Sequence, residues 1–140
     1  MAITAAVCNS FKQELLAMTP HVAADVYKMA LYVAAATLSK ATTAYSATNE
    51  VVGTGYTATG LTLVGFTVTL DTDTAILDWT TDPSWAAASL TARGALIYNS
   101  TRSNKAVCVL DFGADIISTA GLFLVTLPAA AAATGLVRIA

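Results

Sequence analysis

Leu61-Thr-Leu-Val-Gly-Phe-Thr-Val-Thr-Leu70 is where this sequence commits to an architecture. Leu61 and Leu63 alternate with Thr62. Val64, Phe66, Val68 and Leu70 then alternate with Gly65, Thr67 and Thr69, so the apolar phase slips by one residue. A period of two is the strand signature, because successive side chains leave opposite faces of a sheet. A slip at a glycine marks either a β-bulge or a strand crossing from one sheet to another.

The flanking segments carry the same chemistry. Asp71 to Asp73 predicts a turn. Ala75, Leu77 and Trp79 then form the apolar phase of a strand, with Asp78 on its solvent face and Asp82-Pro83 at its end. Further strands are predicted over Arg93 to Tyr98, Ala106 to Phe112, Gly121 to Leu127 and Leu136 to Ile139, with a polar turn over Asn99 to Asn104. In Val107 to Leu110 and Leu122 to Val125 the apolar residues occupy both faces, which predicts strands covered on both sides. Upstream, Val26 to Val33 reads as a strand, although Ala30 and Ala34 to Ala36 also tolerate helix. Thr37 to Gly60 reads as loop, punctuated by Gly53, Gly55 and Gly60. Near the start, Ser10 and Gln13 form a capping-box pattern ahead of Phe11, Leu15 and Leu16 at helical spacing. Thr19-Pro20 ends that short helix. The expectation is an all-β protein, a jelly-roll-like β-sandwich of about seven or eight strands with a short N-terminal helix. It forms one domain over 1–140: an arm and helix over 1–20, the sandwich over 21–127 and a strand or tail over 128–140.

Composition narrows the function. Charged residues make up 11% of the 140-residue chain, against about 25% in ordinary soluble domains. Its outer surface is therefore built from small neutral residues, poorly protected against association, which suits a life spent against neighbours. The net charge of −2 and the scattered cations remove the footprint of a nucleic-acid binder. The start lacks the positive flank of a secretory leader, and Pro128 and Arg138 interrupt the apolar run over 121–140, so neither export nor membrane insertion is expected. Cys8 and Cys108 read as free thiols, in keeping with a reducing cytoplasm.

Candidate chemistry is sparse. His21 is the one histidine available to carry a proton near neutrality, and a lone loop histidine is more often simply hydrogen-bonded. Asp71, Asp73, Asp78 and Asp82 cluster, but Ile76 stands where a calcium loop starting at Asp71 needs glycine. Gly53-Thr54-Gly55 lacks the lysine and helix of a phosphate loop. No catalytic, metal or cofactor residue is expected. Trp79, Trp85, Tyr45, Tyr56 and Tyr98 include the material for an aromatic sugar platform, although Trp79 falls in the apolar phase of its strand and Trp85 reads as partly exposed or at an interface.

Glu50-Val-Val-Gly-Thr-Gly-Tyr56, Thr91-Ala-Arg-Gly-Ala-Leu-Ile-Tyr-Asn99 and Val109-Leu-Asp-Phe-Gly113, in that order after Phe11-Lys-Gln-Glu-Leu-Leu16, resemble a family of tailed-phage virion proteins that act as capsid cement, or head decoration. The likeness spans most of the chain. It implies a jelly-roll protein, made in the host cytoplasm and carried on the outer surface of a phage head. Its partners would be the major capsid protein and further copies of itself, with a dimer favoured. One departure stands at Thr59-Gly60, where the family has two adjacent glycines. Within this frame the candidates for protein contact are Ile3, Phe11, Tyr45, Tyr56, Trp85, Arg93, Arg102 and Arg138. The segments least explained by a core, and so the first expected to make contacts, are Met1 to Ser10, the loop over Thr37 to Gly60 and the tail over Pro128 to Ala140. The alternative is a carbohydrate- or receptor-binding β-sandwich module of a phage tail or cell surface.

Overall fold

The phase slip at Gly65 is a change of sheet. In the computed structural model, which describes residues 2–140, the strands are β1 (Ala6–Val7), β2 (Tyr27–Tyr32), β3 (Leu61–Thr62), β4 (Phe66–Asp71), β5 (Thr74–Trp79), β6 (Ser84–Asn99), β7 (Lys105–Leu124) and β8 (Val137–Ile139), with one helix, α1 (Asn9–Leu16). They form two antiparallel sheets, one ordered β1-β7-β6-β2-β3 and the other β4-β5-β8. β3 belongs to the first and β4 to the second, and Gly65 at φ +84° makes the crossing between them. A Cβ at Gly65 would overlap Thr80 Oγ1. Glycine is needed there both for its backbone angle and for the close approach.

The two sheets meet at an aromatic junction. Tyr27 of β2 stacks on Phe66 of β4 at 5.1 Å between centroids and meets Trp79 of β5 edge-on at 5.4 Å. Of Val107 to Leu110, expected to be covered on both faces, Val107 to Val109 are buried and Leu110 is half-buried. What covers the far face of the large sheet is not a further sheet but chain of irregular structure. Tyr45 stacks on Tyr98 at 4.8 Å, the Tyr32 hydroxyl donates to the Ser46 carbonyl (2.7 Å), and Ile3 lies where a side chain on Gly94 would project.

Several expectations need correction. Asp78 is buried rather than solvent-facing, because the chain over 128–136 folds across that face of the small sheet. The Asp78 carboxylate accepts the Trp79 and Leu136 N–H groups, while Asp71 accepts that of Ala132 (2.7 Å). α1 has no capping box: Cys8 occupies the cap without a side-chain bond, and the Ser10 hydroxyl finds no partner. The strands predicted over 106–112 and 121–127 fall in one irregular strand, β7, which ends at Leu124 and leaves 125–127 outside it. The pairs Ala92↔Ile116 and Gly94↔Asp111 leave residues 112–115 bulged opposite Arg93. Eleven residues of straight strand would span about 36 Å, yet the Phe112 and Phe123 rings lie 6.2 Å apart. β7 therefore doubles back on itself, as bulged strands do at sandwich corners. Leu122 and Leu124, expected to be covered, are exposed on that bend.

Candidate docking surfaces

The groups most capable of chemistry are used internally. The His21 side chain is wholly buried, with Nε2 2.7 Å from Glu14 Oε2 and Nδ1 3.1 Å from Asn99 Nδ2. Asn99 Oδ1 accepts the Thr101 and Arg102 N–H groups, which fixes the amide. Its NH2 therefore donates to His21 Nδ1 and to Asp25 Oδ2 (2.9 Å), so the ring carries its proton on Nε2 and donates to Glu14. Lys105 Nζ stands 3.4 Å from the same Glu14 oxygen, and Arg102 Nε donates to Asp25 at 2.9 Å. The hydrogen bond from Arg102 is the main reason the Asp25 carboxyl is held down at about 2, with further help from Asn99 and the Val22 N–H. Among the described residues no hydroxyl or thiol bonds either ring nitrogen. This network is a clasp tying α1 and the following loop to the turn between β6 and β7.

A second hub organises the long loop. The buried Glu50 carboxylate accepts the Tyr45 hydroxyl (2.6 Å), the Tyr56 hydroxyl (2.6 Å) and the Thr59 N–H (2.8 Å). Tyr56 also accepts the Leu31 N–H, and the Tyr98 hydroxyl donates to the Thr59 carbonyl at 2.6 Å. Burial pushes all five tyrosine phenols upward. Burial also raises both thiols, Cys8 to about 11.

These two hubs decide where the sequence-predicted contact residues lie. Ile3, Phe11 and Trp85 are core residues, and Tyr45 and Tyr56 turn inward to Glu50. Trp85 packs on Tyr56 and Phe123 rather than facing outward. Arg102 is spent on Asp25. Arg93 leans between Asp111 (3.6 Å) and Asp115 (3.9 Å) beside the bulge, and Arg138 is exposed. The structure brings Tyr45, Tyr56 and Trp85 together in the interior and leaves Arg93 and Arg138 apart from them.

What it does expose is apolar. On the small sheet Phe66, Val68 and Leu70 share a face with Ala75, Leu77, Val137 and Ile139; Tyr27 covers the Phe66 end, Val137 is buried and Leu77 half-buried, and the outer part of the face is open. Val68 is 63% exposed, Leu70 72% and Ile139 58%, while Leu16 on α1 reaches 88%. Leu15, Val22 and Ala23 overhang this face, leaving a groove of about 380 Å³ without a carboxylate in its walls. A second apolar surface lies on the bend of β7. Leu110, Phe112, Ile116, Phe123 and Leu127 line a hollow of about 410 Å³, with Ile117 and Leu122 exposed nearby. β1 pairs with Cys108 and Val109 and Ala44 bridges Lys105, so from Leu110 onward that edge of β7 has no partner strand among the described residues.

No family model, curated protein or solved structure matches this chain. Unpaired strand edges and contiguous apolar faces are what a protein uses to hold another protein. The sequence carried a signal for them: β4 is an apolar-threonine strand without Lys or Arg to guard its edge.

Proposed function

We propose that this chain is a structural virion protein. It is a jelly-roll-like sandwich that binds the outer surface of a phage head and cements neighbouring capsomers, working as a homo-oligomer without catalysis, metal or cofactor. The observation that carries this is the uncovered apolar face of the small sheet, where Val68, Leu70 and Ile139 stand open to solvent. The segments of family likeness support it by falling at structural positions: Glu50 to Tyr56 forms the loop hub, Thr91 to Asn99 lies in β6, and Val109 to Gly113 leads into the bulge of β7.

A cement repeated over a closed shell needs only modest contacts, because each one holds subunits already restrained by others and the effects multiply. The sugar-binding alternative is not favoured, since the aromatic side chains it needs pack inward on one another. Mixing the purified protein with emptied, expanded heads is the direct test. Stoichiometric outer density by electron microscopy is the expected result, and bare shells at every ionic strength would defeat the proposal.

A further inference from the structure

The small sheet is electrically lopsided. The chain has no Lys or Arg between Ala41 and Ala92, so the β4–β5 hairpin carries only acids at its turn, Asp71 and Asp73. Asp71 is engaged by the Ala132 N–H, whereas exposed Asp73 has no side-chain partner among the described residues. The opposite edge is basic. Between β8 and α1 lies a hollow of about 480 Å³ lined by Val7, Lys12, Leu15, Leu16, Arg138 and Ile139, with no carboxylate in its walls. Neither Lys12 nor Arg138 makes an ion pair among the described residues. β4 and β8 are the two edges of their sheet, so each keeps one side of its backbone unpaired.

We propose that copies of this chain join head to tail, with the β4 edge of one copy seated against β8 and α1 of the next. The added strand continues the small sheet, carrying Val68 and Leu70 over Leu15 and Leu16 and bringing Asp73 toward Lys12 and Arg138. A single contact of this kind covers both uncovered edges of every copy. It is heterologous, so it generates a closed ring or an open row rather than a two-fold pair. This deepens the assembly role proposed above, and its test reads self-association alone.

The test uses the full chain in sedimentation velocity across a concentration series. Leu70→Lys with Asp73→Lys reverses the acidic edge, and Lys12→Glu with Arg138→Glu reverses the basic one. The unmodified chain is expected to associate, and each double variant to associate about tenfold more weakly or worse, because like charges then face each other. An equimolar mixture of the two is expected to recover association, since every edge again meets its opposite. A parent chain that stays monomeric, a variant that associates like its parent, or a mixture that stays dissociated each overturns the proposal. Circular dichroism and unfolding midpoints matched to the parent establish folding. Should a double variant misfold, Asp73→Lys and Arg138→Glu alone carry the same comparison. Self-association of this kind with bare heads would retire the cement reading and keep the contact; decorated heads without it would do the reverse.

Discussion

Glu50 is a single carboxylate on which two phenols and one backbone N–H converge. Glu50→Ala leaves those partly buried donors without their acceptor, and a loss of about 1–3 kcal/mol is expected in denaturant unfolding. Thr59, beside it, sits at φ +79°, a backbone region costly for a β-branched residue. Thr59→Gly removes that strain and is expected to raise stability by about 1 kcal/mol in denaturant unfolding. Asp25 gives a pH signature. Its carboxyl falls from an ordinary 3.8 to about 2 on folding, chiefly through the Arg102 hydrogen bond. The unfolded chain therefore binds this proton first as pH drops. The stabilisation is complete above about pH 4 and is lost as pH falls toward 2. Asp25→Asn should flatten the unfolding midpoint across that window, and an unchanged acid slope would show that the Arg102 contact is weak in solution.

Elements were legible where one period persisted. β2 and β5 could be read from strand chemistry and turn signals, and Gly65 marked a break whose two readings, a bulge or a change of sheet, the alternation alone did not separate. Gly65→Ala places a Cβ against Thr80 at a left-handed backbone, and a loss of about 1–3 kcal/mol is expected from chemical denaturation. β6 and β7 were only half legible. Trp85 to Ser89 carries three alanines and no alternation, and Ala87 and Ala120 both take positive φ where the ladder shifts register. Such irregularities erase the period that a reading of sequence depends on. The contact residues were harder still. Aromatic and arginine side chains are favoured at interfaces in general, but here tyrosines and Arg102 were needed to satisfy buried carboxylates, a requirement visible only once Glu50 and Asp25 were seen to be enclosed.

At the scale of the whole molecule the tyrosines report together. Each of the five phenols is held above its ordinary value of 10 by burial. The unfolded chain releases those protons near pH 10 while the folded one keeps them. Their stabilisation is full below that pH and declines as pH rises through and beyond it. Phenolate absorbance is therefore expected to appear late and in one step that coincides with loss of circular dichroism, whereas gradual titration from pH 10 in a folded sample would contradict the burial.

The large sheet also sets a timetable for biosynthesis. Its first strand pairs with Cys108 and Val109, its second with residues 94–99, and the clasp on α1 needs Asn99 and Lys105. A ribosome adding about 5–20 residues per second takes roughly 4 to 15 seconds to travel from Tyr32 to Lys105. For that interval β1 and α1 wait for their partners, and β2 has only Glu50 to Val51 and β3 to pair with. That delay is set by the strand order of the large sheet rather than by any one residue.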